Sequence, residues 1–276
     1  MTLIIGMSKP EGIYVSVDFR LTNPITGAIY SDDSNKCLRV DYVPLEGGLR
    51  ALLAFTGVGH IDGTPTLTWI RETLRGEPDT PDQSIQLLRE RLNRDAASLR
   101  QPLIINILGL HGTRRFFGAL SNMPSPPRAR VLPEFQYVMQ EVNASFMFTN
   151  GSGATTAIAD DKLKRAQALL DIMPRAPMDY MKLLAIVNRR VAALRTSVSP
   201  FCHVHFISAV DQFGHSSHVF SEKGEVAPFS LEILFGGIDI TQFTSDLRDQ
   251  VEALSRGVVP PTRTTEEMNR GLQRRP

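Results

Sequence analysis

Apolar and polar positions alternate near the start of the chain, which predicts a β-hairpin. Residues 2–8 (TLIIGMS) and 13–19 (IYVSVDF) read as strands, and the KPEG sequence between them reads as a turn. Alternation in the second strand puts Tyr14, Ser16 and Asp18 on one face and apolar side chains on the other. Because the strands are antiparallel, Asp18 is expected beside Thr2.

The same patterns predict further strands and four helices along the chain. The strands are expected at 35–41, 49–59, 103–110, 114–121 and 144–150, with a closing hairpin at 201–221. The helices are expected at 64–75, at 82–99, after the GSG sequence at 151–153 (carrying Leu163, Leu169 and Leu170), and at 177–195.

Blocks of strands therefore alternate with pairs of helices, which favours antiparallel sheets covered by helices over β-α-β crossovers. The expected fold is α+β, a four-layer αββα sandwich of two antiparallel sheets flanked by helix pairs, formed by one domain over residues 2–255. Residues 122–134 contain four prolines and are expected to form an exposed loop or insertion. Residues 256–276 are expected to be a disordered tail.

Composition narrows the possible classes of function. The 30 basic and 29 acidic side chains create no net field that would attract nucleic acid or an anionic membrane. No apolar run approaches the roughly 20 residues that span a bilayer, and the N-terminal pattern is not that of a signal peptide. Cys37 and Cys202 lie in predicted strands and are interpreted as reduced core thiols, with a disulfide as the alternative. We expect a cytoplasmic protein without nucleic-acid or membrane partners.

Thr2 is the first residue with candidate chemistry. Threonine is small enough for removal of Met1 to be expected, which would leave Thr2 with a free α-amine. The pKa of such an amine is about 7.7–8.0, so it can act as a base for the hydroxyl of the same residue.

Lys36 and Asp18 extend this candidate site. Lys36 shares a predicted strand face with the apolar Leu38 and Val40, where a buried ammonium requires an anion. Asp18 is the available anion, although a solvated aspartate and a lysine that extends to solvent remain alternatives. In the catalytic interpretation, Thr2 Oγ1 attacks a carbonyl, Lys36 lowers the pKa of the hydroxyl, and Asp18 orients Lys36.

Together these residues resemble the N-terminal-nucleophile hydrolases of the proteasome β-subunit type, including their bacterial peptidase relatives. The matching features are Thr2 behind a removable methionine, VDFR at 17–20, Lys36 in a strand, FTGVG at 55–59 and GSG at 151–153. The resemblance implies the αββα sandwich and hydrolysis of amide bonds without a cofactor. It also implies a peptide or unfolded protein substrate and a homo-oligomeric ring, and it leaves an ATPase or activator partner open.

The resemblance also assigns supporting residues. It implies that Gly57 offers its backbone N–H to an oxyanion, that Ser152 contacts the terminal amine, and that Arg20 braces Asp18. Gly57 is equally consistent with an ordinary strand end, and Ser152 with a helix cap.

The family's Asp-x-x-Ser motif is matched only in part. Ser199 stands at the position of its serine and is assigned to the catalytic group, whereas Thr196 stands at the position of its aspartate.

Two other functions are compatible with the sequence. His203, His205, His215 and His218 fall in one predicted hairpin with Asp211 in its turn, and imidazoles spaced i, i+2 on a strand can bind zinc in a metal-dependent hydrolase. A half-exposed hairpin with polar neighbours would show the same pattern. The other alternative is a ring or scaffold subunit of the same fold without turnover.

The helix at 64–75 bears on self-association. It carries Leu67, Trp69, Ile70 and Leu74, which is more apolar surface than one contact stripe requires. Because tryptophan is enriched at the centres of interfaces, the pattern predicts self-association through this helix. The alternative is that Trp69 packs on its own sheet.

Overall fold

The fold comes from a computed structural model of the chain. It describes residues 2–22, 26, 28–42, 48–76, 80–95, 101–123, 131–159, 176–211, 214–229, 232–235 and 238–240. Five sequence expectations lie outside these residues: removal of Met1, the middle of the proline-rich loop, the helix around Leu163, Leu169 and Leu170, the domain limit at 255, and the tail 256–276.

The first sheet is antiparallel and contains the N-terminal hairpin at its centre. Its strands in spatial order are β12 (Phe146–Gly151), β1 (Leu3–Lys9), β2 (Gly12–Asp18), β13 (Cys202–Ser208), β14 (His215–Phe220) and β15 (Val226–Pro228). The register pairs Ile4 with Val17 and Cys202 with Asp18. The end of β2 therefore lies between the beginnings of β1 and β13.

The second sheet is mixed. Its strands in spatial order are β11 (Gln136–Glu141), β10 (Arg114–Ser121), β9 (Leu103–His111), β6 (Leu49–Gly57), β5 (Cys37–Asp41), β16 (Glu232–Phe235) and β17 (Ile238–Asp239). The expectation of two wholly antiparallel sheets is wrong here, because β16 pairs with β5 in parallel. Two short hairpins are separate: β3 (Leu21–Thr22) with β4 (Ile29–Ser31), and β7 (His60–Ile61) with β8 (Thr64–Pro65).

The described helices are α1 (Thr66–Leu74), α2 (Pro81–Asp95), α3 (Ala154–Ala159) and α4 (Pro177–Leu194). Apolar residues of α1 and α2 form one core cluster with the second sheet, including Ile70, Leu88 and Ile105. Residues of α3 and α4 form another with the first sheet, including Leu184 and Val204. A third cluster combines residues of both sheets, such as Ile4 and Leu108. The protein is thus α+β, with an apolar layer shared by the two sheets.

Trp69 belongs to the core and not to the surface. Its side chain is 9% exposed and packs in the cluster formed by α1, α2 and the second sheet. The expectation that Trp69 marks a self-association surface is wrong, because the helices and the second sheet already bury the indole within the chain.

Both cysteines are buried and free, as the sequence indicated. Burial raises the pKa of the Cys202 thiol to about 12, so it stays protonated at neutral pH. Among the helices that the structure describes, none has the length and apolar character needed to cross a membrane.

Candidate active site

Three chain segments converge at one end of the sheets. Thr2 immediately precedes β1, Asp18 ends β2, and Lys36 immediately precedes β5. The short turn between β1 and β2 brings Thr2 and Asp18 together, and Phe55 of β6 donates its N–H to Lys36 O at 3.2 Å. Strand pairing thus holds each of the three residues at a strand end.

The three side chains contact one another directly. Lys36 Nζ donates to Thr2 Oγ1 at 2.6 Å and lies 3.1 Å from Asp18 Oδ1. Thr2 Oγ1 also donates to Asp18 Oδ1, a contact that sequence reasoning did not anticipate. The exposed fraction is 2% for Thr2 and 0% for Asp18 and Lys36, so the polar strand face predicted for Asp18 is covered rather than solvated.

The ammonium of Lys36 is desolvated but has a complete set of acceptors. Its third contact is with Arg20 O at 2.6 Å, so its three N–H groups match three oxygen acceptors. Burial lowers the pKa of Lys36, and the nearby Asp18 carboxylate opposes this effect only in part. A lysine whose pKa is lowered in this way becomes neutral at a lower pH than a surface lysine does.

Backbone amides hold the Asp18 carboxylate. Oδ1 accepts from Leu3 N at 2.9 Å, while Oδ2 accepts from Ser199 N at 3.0 Å and from Arg20 N at 3.2 Å. Hydrogen bonds of this kind compensate for removing a carboxylate from water. They also fix the oxygen that faces Thr2 and Lys36.

Arg20 and Ser199 both contact Asp18, and both do so through backbone amides. The Arg20 guanidinium does not reach Asp18 but pairs with Asp32, and Arg20 Nη1 donates to Thr196 O at 2.6 Å. Only the backbone amide of Arg20 braces Asp18. Ser199 likewise contacts Asp18 through its amide, while its hydroxyl accepts from Phe201 N at 3.2 Å.

Asn188 is a buried polar residue that sequence reasoning missed. Its Nδ2 donates to Ser199 O at 2.8 Å and so anchors the residue whose amide holds Asp18. The available signal was an asparagine within the apolar stripe of α4, which includes Leu184 and Val191. A polar residue in such a stripe needs a buried partner.

The segment after β12 lies against Thr2. Ser152 Oγ donates to Thr2 O at 3.4 Å and lies 3.1 Å from Ser197 Oγ, so its described contact is with the carbonyl and not with the amine. Gly151 has φ +90°, and a Cβ there would collide with Thr2 O and lie 3.0 Å from Thr56 Oγ1. The close approach of these two backbones therefore requires glycine.

Gly57 ends β6 next to this segment. Its φ of +113° favours glycine, and a Cβ at this position would collide with Pro102 O. The preceding Thr56 lies beside Gly151, as its distance from the Cβ position of Gly151 indicates. Thr56 of the FTGVG sequence thus lies near the start of β1.

The histidines do not form a common cluster. His203 and His205 are buried, whereas His218 pairs with Val204 and therefore faces the opposite side of the sheet. His205 Nδ1 contacts Ser217 Oγ at 2.7 Å, and the His203 ring packs against Phe19. Within the described residues, no three His, Cys, Asp or Glu side chains converge where they could hold a metal ion.

Comparisons with known proteins bear on the fold. No family model and no curated protein matches the sequence. Among solved structures, the chain is similar to a mutant of Anbu from Hyphomicrobium sp. strain MC1, a bacterial proteasome-like protein. The TM-score is 0.50 at 13% identity, and the match covers 96% of this chain and 100% of Anbu. At this identity the likeness concerns the fold alone, an α+β fold that the chain shares with Anbu.

Proposed function

We propose that the protein is a threonine-type amide hydrolase in which Thr2, freed by removal of Met1, is the nucleophile. The observation that supports the proposal is that Lys36 Nζ contacts both Thr2 Oγ1 and Asp18 Oδ1 in a region closed to solvent. A purely structural ion pair would require only the lysine and the aspartate. The added hydroxyl gives the arrangement of an activated nucleophile.

The chemistry follows from these positions. Thr2 Oγ1 attacks the carbonyl carbon of the substrate while its proton passes to the α-amine of Thr2, and the Lys36 ammonium stabilises the developing negative charge on Oγ1. When the tetrahedral intermediate collapses, the C–N bond breaks and the proton moves from the α-amine to the leaving nitrogen. Water then hydrolyses the ester on Thr2 and regenerates the hydroxyl. The reaction requires no cofactor.

Neighbouring groups would complete the site. Gly57 would direct its N–H to the oxyanion, and Ser152 would support the amine of Thr2. Ser199 and Arg20 would hold Asp18 through their backbone amides, as their 3.0 and 3.2 Å contacts with its carboxylate suggest.

The proposal also covers the complete fold, the substrate class, the cellular location and the assembly of the protein. The fold would be the four-layer αββα sandwich, which the three apolar clusters support. The protein would cleave peptides or unfolded proteins in the cytoplasm as a homo-oligomeric ring. In that case light scattering should give a mass that is a multiple of 30.6 kDa, and folded proteins should resist cleavage.

The test combines mass spectrometry of the N-terminus with hydrolysis of a fluorogenic peptide library. Active protein should begin at Thr2 and should form an adduct with an epoxyketone, which reacts with the amine and hydroxyl of a terminal threonine. Thr2→Ala should lower kcat/KM by about a thousandfold or more, and Thr2→Ser should retain part of the activity. Asp33→Asn, an exposed change nearby, is the control.

Two results would reject the proposal. The first is quantitative retention of Met1 in active protein, and the second is full activity of Thr2→Ala. A folded protein with a free Thr2 that cleaves no peptide and forms no adduct would instead favour the scaffold alternative.

A further inference from the structure

The loop before Lys36 contains an aspartate with a defined partner. Asp32 Oδ1 accepts from Arg20 Nε at 2.6 Å, and Asp32 Oδ2 accepts from Arg20 Nη2 at 2.9 Å. This bidentate geometry fixes the plane of the guanidinium. The side chain of Asp32 is 46% exposed, whereas that of Arg20 is 14% exposed.

The remaining guanidinium nitrogen points to the segment 196–199. Arg20 Nη1 donates to Thr196 O at 2.6 Å and to Val198 O at 3.3 Å. Both acceptors are backbone carbonyls, which any residue provides. Threonine at position 196, where the proteasome-type motif has aspartate, therefore leaves this contact intact.

The backbone of Arg20 joins both charged groups of the site. Its N–H donates to Asp18 Oδ2 at 3.2 Å, and its carbonyl accepts from Lys36 Nζ at 2.6 Å. The adjoining Ser199 amide donates to the same carboxylate oxygen at 3.0 Å. The orientation of Arg20 therefore affects the carboxylate of Asp18 in two ways. One is through the backbone amide of Arg20, and the other is through the segment 196–199 and the Ser199 amide.

We propose that Asp32 is a positioning residue: by orienting the Arg20 guanidinium it holds the segment 196–199 so that the Ser199 amide meets Asp18. The catalytic consequence rests on the proposed function, but the positioning itself does not. With asparagine at position 32 the guanidinium loses its counter-charge, and either Nε or Nη2 of Arg20 faces an amide NH2 group instead of an acceptor. The partly exposed guanidinium then turns towards water. Because half-exposed ion pairs contribute little to global stability, the signature is a local loosening without a large change in Tm.

The test compares Asp32→Asn with Asp32→Glu and with the control Asp33→Asn. Asp33 lies in the same loop, but its described side-chain contact is with Ser31 Oγ and not with Arg20. Hydrogen exchange of a peptide containing Ser199 measures the positioning, and steady-state hydrolysis measures its consequence.

Asp32→Asn should speed exchange of the Ser199 amide by about tenfold. It should also lower kcat by about tenfold, with KM changed less than twofold, because displaced catalytic groups affect the chemical step. Asp32→Glu should recover at least part of both losses, and Asp33→Asn should change neither.

Unchanged exchange in Asp32→Asn would overturn the inference, whatever happens to kcat. Equal changes in Asp33→Asn would also overturn it, because they would reflect the loop charge and not the pairing. If the wild-type protein hydrolyses nothing, the proposed function fails, while the exchange measurement still decides whether Asp32 positions the segment.

Discussion

Replacing Asp18 with asparagine tests whether Lys36 is a buried cation. Asp18→Asn preserves the shape of the side chain but removes its negative charge, so the ammonium meets only neutral acceptors: the amide oxygen of the new side chain, Thr2 Oγ1 and Arg20 O. Breaking a buried ion pair in this way costs about 3–5 kcal/mol. This cost has an upper limit, because the variant can also fold with Lys36 as the neutral amine. At pH 7 that alternative costs about 4.6 kcal/mol relative to an unfolded lysine with a pKa of about 10.4.

The same reasoning gives the direction in which the stability gap, the difference in unfolding free energy between the wild type and Asp18→Asn, changes with pH. Burial already lowers the pKa of Lys36 in the wild type, and removal of the carboxylate, which opposes the lowering, should lower it further. Between the two folded-state pKa values the variant binds fewer protons than the wild type. Raising the pH through this range should therefore narrow the stability gap by up to about 1.4 kcal/mol per pH unit, and the narrowing should stop above the wild-type pKa.

Urea unfolding at pH 7, 8, 9 and 10 measures this gap. The buried Trp69, the chain's single tryptophan, supplies the fluorescence signal. The double variant Asp18→Asn with Lys36→Met should recover much of the loss because no unpaired cation remains, and Asp33→Asn should behave like the wild type. A gap below about 1 kcal/mol that does not change with pH would refute the reasoning, since that is the behaviour of an exposed pair.

Three further changes probe the surroundings of the site, each measured by urea unfolding. Asn188→Leu should cost about 1–3 kcal/mol because it leaves the buried Ser199 carbonyl without its side-chain donor, and a neutral result would mean that water replaces the amide. Burial lowers the pKa of His203 from 6.5 to about 3, so wild-type stability should fall by about 2 kcal/mol from this residue between pH 6.5 and pH 5. His203→Phe should remove that part of the decline, and an unchanged slope would show that His203 is not its source. Gly151→Ala should destabilise the protein more than Gly63→Ala. Both glycines have positive φ, but only Gly151 packs against backbone at the start of β1. Equal losses of stability would mean that backbone strain alone accounts for the effect.

The sequence was most informative where short-range pairing determines position. A four-residue turn leaves the N-terminal hairpin one register, so the alternation pattern was sufficient to put Asp18 beside Thr2. Lys36 could be added because an ammonium on an apolar strand face needs an anion. By contrast, β16 has four residues and pairs in parallel with β5, far away in the chain, and no local pattern indicates such a partner.

The contacts that hold the site were less predictable because many of them use the backbone. Asp18 receives three backbone amides, from Leu3, Arg20 and Ser199, and any residue except proline could supply them. A motif that names the residue at such a position does not show which of its atoms makes the contact, and for Arg20 and Ser199 the contact with Asp18 is made by the backbone amide. Conversely, Arg20 was expected to brace Asp18, and its guanidinium pairs with Asp32. Asp32 lies twelve residues further along the chain, across the β3–β4 hairpin. Threonine at position 196 is therefore not in itself an argument against activity, since the described contact at this position belongs to the carbonyl.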